Sequence, residues 1–235
     1  VKSGWIVDIA VLATPSGCHA EQAIKLGNAG INVCTEKPMA TNFGEGMRMV
    51  KEFEKNGSKL FVVKQNRYNK TIKLLKRQIE NKRFGRICMV SVNVFWQRPQ
   101  TYYDSANWRG TKKMDGGALM NQASHYVDLL AWLIGDLDCI SAEKATLDRK
   151  IECEDTAVMT LKWRNGALGT MAVTMLTYPE NLEGSITILG TKGTVKIGGK
   201  AINNIVEWKF IDETDDDKKV RDASYLTESV YGHGH

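Results

Sequence analysis

The sequence predicts half of an α/β domain with a parallel sheet, followed by an α+β domain whose large sheet is mostly antiparallel. Three observations carry this. Short apolar runs near the start alternate with stretches of helical periodicity, which is the order of βαβ units. Beyond Asn66 the alternation gives way to a basic amphipathic stretch, a long apolar run and a second long helical stretch. From Cys139 onward the chain is mostly long strand-like segments separated by short Gly or Asn turns, as antiparallel neighbours require.

In order, Val7 to Ala13 is a near-continuous apolar run, the pattern of a strand covered on both faces. Thr14-Pro15-Ser16-Gly17 is a turn signal. Ala20, Ala23, Ile24 and Leu26 recur at helical spacing between 18 and 29, with Gly27 and Gly30 near the end. A strand is expected at 31–35, a helix at 43–56 closed by Asn56-Gly57, and a strand at 59–63. The basic helix is expected at 70–81, with Ile72, Leu75 and Ile79 on one face, then a strand at 87–96 and one long helix at 116–134. Further strands are expected at 139–147, 155–163, 167–176, 185–189, 193–197 and 205–211. The run DETDDDKK at 212–219 reads as a solvated loop.

Composition narrows the function classes. Hydrophobic residues at 43% and charged residues at 25% are those of an ordinary globular chain. A net charge of +5, spread along the chain, argues against a nucleic-acid groove and is compatible with an anionic small molecule. None of the five cysteines forms a C-x-x-C pair, so neither a metal site nor a redox motif is signalled, and a reducing cytoplasm is expected. No stretch has the ~20 apolar residues of a membrane helix, and no signal peptide is visible. The chain opens on Val1 without a Met and closes on Gly232-His233-Gly234-His235, so both ends read as cut. Those two histidines do not make a metal site without further ligands.

Three stretches carry candidate chemistry. Thr14-Pro15-Ser16-Gly17-Cys18-His19 follows the first strand, at the carboxyl edge where open α/β sheets bind ligands. His19 is equally readable as a capping or surface residue. Glu36-Lys37-Pro38 ends the next strand at the same edge. Pro38 restricts Lys37 to extended geometry, and a lysine held beside a nicotinamide can hydrogen-bond a substrate hydroxyl or assist its deprotonation. Most lysines are solvated, so a plain surface lysine is the other reading. In the third stretch, Asp115 to Asp128, Asn121 and His125 are four apart and would share a helix face, with Asp128 close to His125. An oriented general base near neutral pH, or a histidine satisfied inside the core, both fit. Trp96 with Arg98, Tyr102 with Tyr103, and Trp108 with Arg109 suit a planar or anionic ligand, or a packed loop.

Taken in order along the chain, these motifs resemble the Gfo/Idh/MocA family of NAD(P)-dependent sugar oxidoreductases. The resembling residues are Ala13-Thr14-Pro15 with His19, Glu36-Lys37-Pro38, Asn66-Arg67, Trp108-Arg109 and the stretch Gly116 to Asp128. Within the family the likeness is greatest to the WlbA/WbpB branch, the UDP-N-acetyl-2-amino-2-deoxyglucuronate dehydrogenases, on Val63 to Arg67, Phe95 to Gln100, Tyr102 to Ser105 and Thr177 to Ser185.

The resemblance implies a Rossmann-type domain over 1–66 with its N-terminal part missing, and a substrate-binding and oligomerisation domain over 67–235 that builds homodimers or homotetramers through its sheet. It implies NAD, with NADP not excluded, and a nucleotide-sugar substrate oxidised at C3 to a 3-keto sugar in the making of a surface-polysaccharide diaminouronate. Lys37 would bind the reacting hydroxyl and His125 take its proton. Arg98, Tyr103, Asn121 and Tyr178 would join them around the sugar, and Thr14, Pro15, His19, Glu36, Lys37, Trp108 and Arg109 would line the cofactor. Asn121 stands where many relatives carry Asp. A family member acting on a free sugar or inositol, and a dinucleotide-binding sensor without turnover, are the rival readings. No G-x-G-x-x-G occurs in the chain; the family places this fingerprint upstream of Val1.

Overall fold

The computed structural model describes residues 6–223; His233 and His235 lie outside them. The backbone gathers into two compact units. One comprises the chain up to Val63 with Thr101–Ser124 and Ile151–Cys153; the other comprises Lys64–Gln100, His125–Lys150 and the chain from Glu154 onward.

The first unit is built on the expected alternation. β1 (Ile9–Leu12), α1 (His19–Asn28), β2 (Asn32–Thr35), α2 (Phe43–Asn56) and β3 (Leu60–Val62) follow one another, and the strands pair in parallel in the order β1-β2-β3. Leu12, Ala20, Ala23, Val33, Met49 and Phe53 form its core. Gly27 is small for a reason: a Cβ there would lie 2.9 Å from the Phe53 ring, so the glycine lets α1 and α2 pack closely. α2 starts where the Asn42 side chain accepts the Glu45 N–H at 2.9 Å and stops at Gly57 in the left-handed region.

The second unit carries α3 (Lys70–Glu80), β4 (Ile87–Phe95), α5 (Ser124–Ile134, from its second residue), β5 (Leu137–Ala145), β6 (Thr156–Trp163), β7 (Leu168–Thr174), β8 (Glu183–Gly190), β9 (Gly193–Gly198), β10 (Asn204–Phe210) and α6 (Asp215–Asp222). Its seven strands order as β10-β9-β8-β4-β7-β6-β5. Only β4 and β7 run parallel, so the expectation of a large, mostly antiparallel sheet holds. Val90, Val92 and Val94 alternate inward on β4, as do Met171 and Val173 on β7 and Ile186 and Ile188 on β8. Met89, Val158 and Leu168, one step out of phase, are 42%, 53% and 58% exposed. One face of the sheet is therefore core and the other is open.

Two expectations are corrected. The single helix over 116–134 is instead a π-helical turn at Ala118–Gln122 followed by α5. Gly116 and Gly117 enter it at φ 86° and 93°, a region only glycine adopts readily, so regular α-helix cannot begin before them. The i, i+4 argument joining Asn121 to His125 does not apply across that irregular turn. The charge run at 212–219 is not all loop: α6 starts at Asp215 behind a capping box made by Thr214 and Asp217. A short helix, α4 (Gln100–Asp104), has no counterpart among the elements expected from the sequence. No helix among the described residues is long and apolar enough to cross a membrane.

Candidate active site

In the first unit, the two loops at the carboxyl edge of the parallel strands are tied together by His19. Its ring is buried, with Nδ1 2.8 Å from the Pro38 carbonyl oxygen and Nε2 2.8 Å from that of Thr14. Both partners only accept, so a neutral ring satisfies one of them and a doubly protonated ring both. The segment before the glycine pair docks on the same edge. Gly17 donates its N–H to the Met114 carbonyl at 3.0 Å, and Thr41 Oγ1 donates to the Lys113 carbonyl at 3.1 Å. Asp115 is thereby carried to these loops. Pro15 opens the 3₁₀ turn Ser16–Cys18, and the Thr14 hydroxyl donates to Gln22.

Lys37 sits in the bend after β2, before a cis Pro38. Its Nζ donates to the Asn121 side-chain oxygen at 3.0 Å and to the Asn121 carbonyl at 3.2 Å. The π turn makes this double contact possible. Ala123 reaches back five residues to the Ala118 carbonyl at 2.8 Å, and the Asn121 carbonyl serves Lys37 and the Ser124 hydroxyl. The Asn121 amide nitrogen donates to the Asp115 carboxylate, whose second oxygen accepts the Gly110 N–H at 2.7 Å. Asp115 is 3% exposed. Burial pushes its carboxyl above the usual range, opposed by the Gly110 and Asn121 hydrogen bonds and by the charges of Arg109 and Lys37. Glu36 accepts the Lys37 backbone N–H at 3.2 Å.

An aromatic cluster lies in the same unit. Arg109 donates to the Tyr102 hydroxyl oxygen at 2.5 Å, Gln122 donates to that oxygen at 3.1 Å, and the guanidinium lies 4.7 Å from the Trp108 ring centre. Tyr103 is buried, edge-on to Tyr102. Tyr103, Gly110, Asp115, Asn121 and Gln122 line one narrow crevice.

Nine of the sequence-derived residues thus share the first unit: Thr14, Pro15, His19, Glu36, Lys37, Tyr103, Trp108, Arg109 and Asn121. Arg98, His125 and Tyr178 belong to the second. There His125 is buried, Arg98 donates to the Gln97 carbonyl at 2.7 Å, and Tyr178 is 93% exposed. The Asp128 carboxylate takes two hydrogen bonds from Arg67, at 2.7 and 2.6 Å. Asp115 and Gln122 were given no role by the sequence. The usable signal for Asp115 was an acid placed directly before a Gly-Gly pair.

Comparison with known proteins decides the family. Residues 72–196 match the model of the GFO/IDH/MocA C-terminal domain, and residues 2–64 that of the oxidoreductase family with an NAD-binding Rossmann fold. The chain belongs to the Gfo/Idh/MocA family. Its first unit therefore carries part of the family's Rossmann fold, and the seven-stranded sheet belongs to the family's C-terminal domain. A crystal structure of the WlbA dehydrogenase from Bordetella pertussis, in complex with NADH and UDP-GlcNAcA, is 60% identical with a TM-score of 0.91 over 93% of this chain and 66% of that one. The WlbA dehydrogenase from Chromobacterium violaceum, also with NADH and UDP-GlcNAcA, is 60% identical with a TM-score of 0.89 over 92% of this chain and 62% of that one. Levoglucosan dehydrogenase from Pseudarthrobacter phenanthrenivorans is 25% identical over 80% of this chain and 55% of its own length. The chain thus spans between half and two-thirds of these Gfo/Idh/MocA relatives.

Proposed function

We propose that the protein is an NAD-dependent dehydrogenase of UDP-N-acetylglucosaminuronate, oxidising the C3 hydroxyl to a 3-keto sugar on the way to a diaminouronate of surface polysaccharide. The observation that carries this is the 60% identity to two WlbA dehydrogenases holding NADH and UDP-GlcNAcA. On this reading residues 1–66 are the C-terminal part of the dinucleotide-binding domain and 67–235 bind substrate and oligomerise.

The residues present fit the nicotinamide half of the cofactor. Strand ends β1 and β2 offer the ligand edge of a parallel sheet, and the buried Arg109 Nε has no hydrogen-bond partner among the described residues, which suits an acceptor brought by a ligand. Thr14, Pro15, His19, Glu36, Lys37, Trp108 and Arg109 would hold that half; NADP in place of NAD is the alternative the same residues allow. Bound NAD would supply the hydride acceptor.

The protein's part is positioning and proton handling. Lys37, fixed by Asn121, donates a hydrogen bond to the reacting oxygen and stabilises the negative charge that develops there. His125 takes the hydroxyl proton as general base. Arg98, Tyr103, Asn121 and Tyr178 are assigned to the sugar nucleotide.

We also infer that the protein is cytoplasmic and assembles as a homodimer or homotetramer through the open face of the seven-stranded sheet, where Met89, Val158 and Leu168 are exposed. A substrate panel tests the function. Full-length protein with NAD should act on UDP-N-acetylglucosaminuronate and not on levoglucosan, free glucuronate or inositol. Turnover of a free sugar or inositol without the nucleotide sugar would replace this reading with its rival.

A further inference from the structure

We propose that Asp115 is a positioning residue for Lys37, acting through the Asn121 amide and supplying the negative charge that Asn121 itself lacks. This rests on the reading of Lys37 as the hydroxyl-binding residue.

The direction of each hydrogen bond in the chain is dictated by the groups. A lysine ammonium only donates, so Asn121 must turn its oxygen to Lys37, as observed at 3.0 Å. The amide nitrogen on the other side then needs an acceptor, in a place where Asn121 is 8% exposed and water is scarce. Asp115 is that acceptor, and its other oxygen is occupied by the Gly110 N–H. An ionised carboxylate accepts at both oxygens and satisfies both donors. A neutral side chain of the same shape does not: with an amide at 115, one of the two donors would face an NH₂. Asp115 therefore locks the amide in the orientation that receives Lys37. Its charge lies one amide away from the ammonium, and Arg109 and Glu36 are further charged groups of this unit near the pair.

The placement also explains why residue 121 is an amide. A carboxylate at 121 would stand against Asp115, two like charges sharing one buried spot. Exchanging the two residues, Asp115→Asn with Asn121→Asp, satisfies every donor again. The new amide oxygen takes the Gly110 N–H, its NH₂ donates to the new carboxylate, and that carboxylate receives Lys37. The exchange thus separates the charge relay from simple packing.

The test is the pH dependence of Lys37 acylation in full-length protein without substrate, read site by site by mass spectrometry. An unprotonated lysine reacts and an ammonium does not. Asp115→Asn should lower the midpoint for Lys37 by about one pH unit, the usual effect of losing a close opposite charge, while the exchanged pair should return it to the wild-type value or above. An unchanged midpoint in Asp115→Asn, or an exchanged pair that stays as low as the single variant, overturns the proposal. If Asp115→Asn does not fold, Asn121→Ala takes its place, with a lowered midpoint expected and an unchanged one overturning. Because the reading uses neither NAD nor sugar, it is independent of the dehydrogenase assignment. A relay that holds in a protein inert toward the UDP-sugar would sink that assignment alone.

Discussion

At the scale of single residues, the proposed chemistry turns on Lys37 and on what holds it. Lys37→Ala removes the donor assigned to the reacting oxygen. It should lower kcat by roughly 10²–10³-fold, the usual loss for one such donor, while the affinity for the UDP-sugar measured by calorimetry changes little. A variant that binds less tightly but turns over normally would reassign Lys37 to substrate binding. His19 has a different part, since its two ring nitrogens face backbone carbonyls of both edge loops. His19→Ala leaves at least one of these carbonyls without its donor and unties the two loops, and should cost about 1–3 kcal/mol in urea unfolding. Lys37 and His19 were legible as candidates because each lies in or just after a proline-containing loop that follows an expected strand. Their partners were not. Asp115 lies 78 residues beyond Lys37 in sequence (115 − 37) and meets it through Asn121, a juxtaposition no local pattern encodes.

At the scale of elements, the strands and main helices followed from hydrophobic periodicity, and the two failures have physical causes. Gly116 and Gly117 look like a simple helix entrance in a sequence, but their positive φ values and the π turn after them depend on long-range contacts such as the one from Lys37. α6 was hidden because its inward-facing residue is charged. Asp217 is 3% exposed and accepts from both terminal nitrogens of Arg83 at 2.8 Å, from Trp208 Nε1 at 2.7 Å and from the Thr214 N–H at 2.8 Å. A charge run with one buried, fully paired member is indistinguishable from a solvated run until Arg83 is placed. The Arg83 hydrogen bonds hold the Asp217 carboxyl far below the usual carboxylate range, against burial. The unfolded chain binds a proton at about pH 3.9 and the folded one only at much lower pH, so this stability is complete above that value and is lost as pH falls below it. Asp217→Asn should therefore cost about 2–4 kcal/mol at pH 7, near the range for breaking a buried pair. The difference from wild type should shrink in denaturant titrations taken toward pH 3. A constant difference across that range would show that charge is not what Asp217 contributes.

At the scale of the whole molecule, fold class was legible in the order of the chain's hydrophobic segments, because alternation of strands and helices followed by turn-linked strands admits few architectures. Membership of the Gfo/Idh/MocA family then rests on both matched regions together. The open face of the sheet bears on assembly. Leu168 and Val158 are 58% and 53% exposed on a face whose opposite side is core. A charge placed there, Leu168→Glu or Val158→Glu, leaves the core untouched and should convert the proposed oligomer to monomers in sedimentation analysis. An unchanged sedimentation coefficient would move the interface elsewhere. Oxidation of the nucleotide sugar is addressed by one decisive measurement. Full-length protein is mixed with NAD and UDP-N-acetylglucosaminuronate in a single turnover, and nicotinamide reduction is followed by absorbance. Reduced nicotinamide stoichiometric with active sites, and a 3-keto sugar nucleotide as product, are expected; no reduction even in that single turnover would refute the proposed chemistry.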